Sequence, residues 1–441
     1  MMLRTPVICL LFSLAVVTAV PGLALDSRAY IEKSVTLIES GEYSLARTYL
    51  APALIDYRLS AGERSRAFYL RGYSYLADDL PVAAGKDYNR ALEFNPENPA
   101  ALAALGHLHF RGLGLPQDEA VAFDLYTQAA KLDHPGAQVH VGLSYLEGRG
   151  VEQDVVLARQ WLEEPAEAKN PAAMNFLARS YRVEFADPAE PELARQWYER
   201  AFAAGSADAL VSLAYMHQKG EFGEVDRAEA LRLFTEAADA GSSTALVSLG
   251  HLHLEGDAVK ADPAHALSLF EQAAEQGNPA SYLSLGHLYE TGTGVEQNLA
   301  TAESWFERGA EAGVTGAQLR LVYLLLSQGE STAALPWLAQ AAATESPIAH
   351  NDYAWLLATN PDDTIRDGEL ALSFAQRAVA KVQTPAYLDT LAAAYAELGQ
   401  FAEAVTTQEQ AIALVDDAQS ELAAELQGHL LAYRDGKPWR E

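Results

Sequence analysis

Cysteine is almost missing from this chain: Cys9 is the only one in 441 residues. It sits in the apolar segment near the N-terminus, so the remainder can form no disulfide, no thiolate metal site and no cysteine nucleophile. Positive charge is scarce as well, with 31 Lys and Arg against 60 Asp and Glu and a net charge of −29. Phosphate binding needs clustered cations, which argues against nucleic acid and anionic membrane surfaces as partners. The excess carboxylate is spread along the chain, and it reads either as a solvating surface or as attraction for a basic segment or for cations. Clusters of β-branched residues are nearly absent while alanine is abundant, so an all-α protein is expected. There is no HExxH, no Gly-x-Ser-x-Gly, no Ser-x-x-Lys and no Gly-rich phosphate loop. No enzyme, no cofactor and no metal ion is expected.

What is there is a period. A small residue recurs every 36 positions, at Gly106, Gly142, Ala178, Ala214, Gly250 and Gly286, and the register then lands on Val322. Twelve residues after each of the six small anchors stand Asp118, Asp154, Glu190, Asp226, Asp262 and Asn298, which read as N-caps of a second helix. Pro191 and Pro263 follow two of them at the first helical position. Sixteen residues after each anchor comes an alanine, Ala122 to Ala302, followed at helical spacing by bulky pairs such as Leu125/Tyr126 and Trp305/Phe306. Gly205, Gly241, Gly277 and Gly313 end those helices. The unit is therefore helix, Gly-containing loop, capped helix, Gly turn, and the small anchor permits close approach of its two helices.

These residues resemble the Sel-1-like repeat (SLR) family, a relative of the tetratricopeptide (TPR) family; the clearest copy is Ala280 to Thr315. The resemblance covers roughly residues 99–347 and implies an α-solenoid of stacked antiparallel helix pairs. Two copies depart from it: the Ala178 repeat has VEFADPAEPE in place of the Gly-x-Gly loop, and the Val322 repeat is shortened to SQGES with Ala334 in the alanine column. Flanking segments look like TPR units, with Phe68, Gly72, Tyr75, Ala84 and Tyr88 on one side and Leu388, Leu391, Tyr395, Gly399 and Phe401 on the other. Tyr353 to Ala380 resembles a TPR variant with a long loop around Pro361.

Residues 1–24 read as a secretory signal peptide, with Arg4, the apolar stretch Val7 to Val20, the break at Pro21-Gly22 and a cleavage site after Ala24. The competing reading is an uncleaved anchor, against which stands the immediate return to polar sequence at Asp26. The expected organisation is a signal peptide over 1–24, TPR-like repeats over 25–98, Sel-1-like repeats over 99–347, TPR-like repeats over 348–417, and a capping helix with an irregular tail over 418–441. Cleavage would make the protein periplasmic or secreted, with no stable membrane insertion.

The HxH pairs His107/His109 and His251/His253 invite a metal reading, but residues two apart on a helix do not share a face, so packing in the place of Tyr is expected for the second of each pair. The resemblance to TPR solenoids implies that the column after the anchor and the column four residues before it line a concave face. The face would then comprise His107, Val139, Leu143, Arg179, Val211, Tyr215, Val247, His251, Leu283, His287 and Tyr323. Apolar anchoring with a few oriented polar groups suits a peptide or protein partner; the competing reading is that these side chains only cover the inner wall. Surrounding carboxylates should favour protonated His107, His251 and His287. The function this points to is a non-enzymatic envelope scaffold. The resemblance leaves two alternatives, a polysaccharide-export scaffold and a penicillin-binding or cell-wall hydrolytic enzyme.

Overall fold

The computed structural model describes residues 26–185, 188–256, 258–415 and 420–441; the expected signal peptide lies outside them. Among the described residues there are helices and turns and no strand. The chain divides into two compact units, 1–209 and 210–441.

In the first unit, α1 to α4 (Ser27–Glu39, Tyr43–Ile55, Ala61–Ala77, Pro81–Phe94) precede three periodic pairs: α5/α6 (Pro99–Arg111, Glu119–Ala130), α7/α8 (Pro135–Glu147, Val155–Glu167) and α9/α10 (Pro171–Arg179, Pro191–Ala203). The second unit contains α11 from Leu210 onward (Asp208–Lys219) with α12 (Arg227–Asp239), then α13/α14 (Ser243–Glu255, Pro263–Glu275), α15/α16 (Pro279–Thr291, Leu299–Glu311) and α17/α18 (Thr315–Ser327, Ser331–Ala342). It ends with α19 to α22 (Pro347–Thr359, Gly368–Lys381, Pro385–Glu397, Phe401–Ala413) and α23 (Glu421–Arg434). Within each unit successive helices pack on one another, α11 and α12 through Tyr215 and Phe234, which is how a solenoid is held together.

The anchor column works by volume. A Cβ on Gly250 would lie 2.5 Å from the Phe270 ring, and one on Gly142 would lie 2.5 Å from Leu162 Cγ. The second residue of each bulky pair therefore lies across the anchor. Val322, the largest anchor, shares its buried core cluster with Leu338, a smaller residue than the Tyr or Phe of most other copies. Gly72 and Tyr88 repeat the arrangement ahead of the 36-residue period, with a Cβ 2.6 Å from the ring.

The five Asp and Asn caps each accept a backbone N–H from the first turn, while Glu190 makes no side-chain cap bond and relies on Pro191 at the first position. Each cap residue also donates its own N–H back across the loop, as in Asp262 to the His253 carbonyl at 2.8 Å and Glu190 to Tyr181 at 2.9 Å. This latch survives in the aberrant Ala178 repeat, where α9 is cut to 9 residues and Arg159 holds the Ser180 carbonyl at 2.7 Å. A second set of caps was legible and unread: Asn98, His134, Asn170, Ser242 and Asn278 cap the first helix of their repeats.

The Gly-x-Gly loops are turns, and the second glycine has a further task. Gly294 has φ +74°, and a Cβ there would lie 2.6 Å from the Pro263 backbone carbon at the start of α14, so the loop packs directly on the preceding repeat. The tail after Arg434 is non-helical yet fixed: Glu441 N–H donates to the Thr359 carbonyl at 3.0 Å, and Arg440 pairs with Glu397.

Candidate partner-binding surface

In the first unit, the expected surface is largely occupied by its own neighbours. Val139 is buried, whereas His107 and Leu143 are half-buried. Arg179 donates to Glu147 at 2.7 Å and lies 4.9 Å over the Phe185 ring, so its charge is already paired. His140, a neighbour of Val139, stacks on Tyr126 at 4.4 Å, and burial pushes its pKa down to about 4.

In the second unit, the column after the anchor is a row of rings. Tyr215 stands edge-on to Phe234 at 5.1 Å, His251 to Phe270 at 5.1 Å and His287 to Phe306 at 5.8 Å. The polar tips of Tyr215 and His251 reach the next repeat, while that of His287 meets Glu290 on its own helix. Ser248 commits its one proton to the Thr244 carbonyl, so the Tyr215 hydroxyl is the donor in the 2.8 Å contact with Ser248. His251 Nε2 meets Ser284 at 3.4 Å, and His287 lies 3.2 Å from Glu290, which Arg320 also engages. Tyr215, His251 and Tyr323 nevertheless remain exposed over more than a third of their surface.

Two expectations are corrected. The apolar column is not an exposed strip: Val211, Val247 and Leu319 are buried, and Leu283 is half-buried with its side chain 2.8 Å from where a Cβ on Gly316 would sit. These residues pack adjacent helices together, and the accessible wall is left to the rings. Nor do carboxylates raise the imidazoles of His107 and His251. Burial lowers the pKa of His107, helped by Arg111, and lowers that of His251 despite the opposing Glu255.

One hollow in the second unit lies where the period stops. A cavity of about 400 Å³ is walled by Tyr323, Trp355 and the carboxylates Asp352, Asp389, Glu425 and Glu441. Tyr323 donates to Asp352, whose pKa is raised by burial. Tyr323 belongs to a periodic column, as do Val322 and Leu338 on the same wall; Trp355 and the four carboxylates come from α19, α21, α23 and the tail, so no repeat alignment could have assembled them. A smaller hollow of about 220 Å³ lies between Tyr215, Phe234, Ser248, His251 and Glu255.

The Sel1 repeat family profile matches six consecutive segments, 99–134, 135–170, 171–206, 207–242, 243–278 and 279–314. The chain is a Sel1-repeat protein. The matched Sel1 repeats stop at 314, so the Val322 register is not among them; there α17 and α18 are joined by only the short stretch 328–330 and the second helix lacks a side-chain cap. A protective antigen of uropathogenic Escherichia coli displaying an SLR fold is 23% identical, with TM-score 0.47 over 93% of this chain and 88% of its own. A Sel1 repeat protein from Oxalobacter formigenes is 25% identical, with TM-score 0.42 over 55% of this chain and 96% of its own. Yeast Tom70 is 15% identical, with TM-score 0.37 over 93% of this chain and 96% of its own. No curated protein sequence matches the chain. Sel1 and TPR-like repeats typically mediate protein–protein interaction, and Sel1 solenoids are generally non-enzymatic. No helix among the described residues is long and apolar enough to cross a membrane.

Proposed function

We propose that this Sel1-repeat protein is a non-enzymatic adaptor of the cell envelope, exported by residues 1–24, which holds a basic peptide or protein segment along the ring-lined wall of its second unit. The observation that carries this reading is the row Tyr215, His251, His287 and Tyr323, whose last member opens onto a cavity walled by four carboxylates. Aromatic faces take up the aliphatic stems and charged heads of Lys and Arg, and carboxylates fix the charge. The chain's net charge of −29 adds long-range attraction for such a partner.

The test is a comparison of extended Lys/Arg-rich and Asp/Glu-rich peptides by fluorescence anisotropy at fixed ionic strength. Basic peptides should bind better, and Tyr323→Ala and Asp352→Asn should each weaken binding by about tenfold, the order of one lost charge-assisted contact. Equal binding of both peptide classes, or undiminished binding by both variants, overturns the reading. Export is tested separately: protein from its native host should start at Leu25 and fractionate with the soluble envelope or the medium. An intact Met1 in the membrane pellet would replace the exported form by an anchored one.

A further inference from the structure

One buried imidazole in the second unit has no structural explanation within the repeat scheme. His429 on α23 is fully buried, with its ring 4.4 Å from Trp439 and 5.8 Å from Trp355. Its Nδ1 lies 2.8 Å from Asp389 Oδ1, and Asp389 is itself buried and accepts a second bond from Gln408 Nε2 at 2.6 Å. An ionised carboxylate can only accept, so the hydrogen of the imidazole sits on Nδ1 and the tautomer is set. Nε2, also buried, has no hydrogen-bond partner among the described residues.

That nitrogen is the atom His429 has left to offer. One ligand atom each from Glu425, His429 and Glu441 lie within 4.8 Å of one another. Glu425 and His429 are four residues apart on α23 and share a face. Glu441 arrives with the tail, which is held by its backbone bond to Thr359, and its Oε2 accepts from Trp439 Nε1 at 3.3 Å. Two carboxylates and the His429 imidazole thus converge, with an orienting partner behind two of the three. Such a set repels itself until a cation enters, and a carboxylate behind a histidine is the arrangement that orients metal ligands.

We propose that Glu425, His429 and Glu441 bind a divalent first-row transition metal ion, represented by Zn²⁺, with Asp389 as the residue that orients His429. The imidazole argues against Ca²⁺ and Mg²⁺, which take all-oxygen sites. Ligands at about 2.1 Å from Zn²⁺ stand roughly 3.4 Å apart, so closure needs about 1 Å of movement, which the two exposed glutamates can supply by side-chain rotation. The ion fastens the tail to α23 and leaves a coordination position open for water. Glu425 and Glu441 also wall the cavity of the partner-binding reading, but metal uptake is measured on the protein alone, so the two readings fail separately.

The experiment uses the full chain after exhaustive dialysis against chelator. Zn²⁺ is titrated by calorimetry, and Co²⁺ by the visible absorption that reports a low-coordinate site. One equivalent should bind, with affinity reduced at least about tenfold by Glu425→Gln and by Glu441→Gln, exposed changes that leave the helix intact, and about 10–100-fold by Asp389→Asn. Glu421→Gln, on the same helix and outside the cluster, should bind as the parent does. Absence of saturable Zn²⁺ binding, or full binding by both ligand variants, overturns the proposal. So does an NMR spectrum in which His429 carries hydrogens on both ring nitrogens and does not respond to Zn²⁺, since the imidazolium would then be the cation the carboxylates hold.

Discussion

The repeats at 99–170 and those at 243–314 build the same helix pair from differently suited residues. Beneath the anchor the later pair uses Phe270 and Phe306, whereas the earlier pair uses Leu162 and Tyr126, the latter with a buried hydroxyl that has no partner among the described residues. At the turn after the second helix the later pair has Gly277 and Gly313, while Asp133 and Lys169 are forced into the same left-handed conformation at φ +60° and +65°. The earlier pair also stacks the neutral His140 on Tyr126. The difference teaches that this fold is specified by volume and backbone geometry at a few columns and tolerates local costs elsewhere.

The harshest way to break the comparison is to violate the column that both regions obey. Gly250→Leu should destabilise by about 3 kcal/mol, the upper part of the usual range for overpacking, because the Phe270 ring occupies the space. Urea unfolding measures this, and adding Phe270→Leu, which imitates the Val322 and Leu338 combination, should recover part of the loss. An unchanged midpoint would mean that the anchor does not set the helix spacing.

Acid should separate the two regions next. The His140 pKa is held down to about 4 by burial, with His107 and His134 adding like-charge repulsion, against about 6.5 when unfolded. The native state therefore resists a proton that the unfolded chain accepts, and stability falls as pH drops through that window, by about 2 kcal/mol at pH 5 for this group. His140→Phe should flatten the pH dependence in melts between pH 7 and 5. A parallel profile for the variant would move the acid sensitivity to another group.

Two substitutions sharpen the comparison by bringing the earlier repeats toward the later ones. Tyr126→Phe removes a buried hydroxyl without a partner and should stabilise by about 1 kcal/mol. Lys169→Gly relieves a left-handed lysine, and after the entropy lost by glycine it should stabilise by about 0.5 kcal/mol. Thermal midpoints that fall instead of rising would show that these positions are held by contacts rather than strained.

Much of the fold was legible because its determinants are local and repeated. Asp118, Asp154, Asp226, Asp262 and Asn298 could be named as caps from position alone, since a cap acts on amides two or three residues away. The candidate surface was legible only in part. Tyr215, His251 and Tyr323 stand exposed, but Val211, Val247 and Leu319 are covered by packing that no single helix reveals. The sign of the histidine shifts was missed for the same reason: net charge is visible in a sequence, while the desolvation that outweighs it depends on what lies over the ring.

The sequence by itself determined the period, the helix ends, the small anchor opposite a large partner and the acidic balance, because each follows from residue type at fixed spacing. Tertiary structure alone decided which side chains converge beyond the periodic region. Asp389, Glu425, His429 and Glu441 obey no common spacing, and they meet because α21, α23 and the tail pack around the two tryptophans at the end of the second unit. Local rules fix a helix and its caps, whereas the meeting of distant polar groups is fixed by burial, which belongs to the assembled unit.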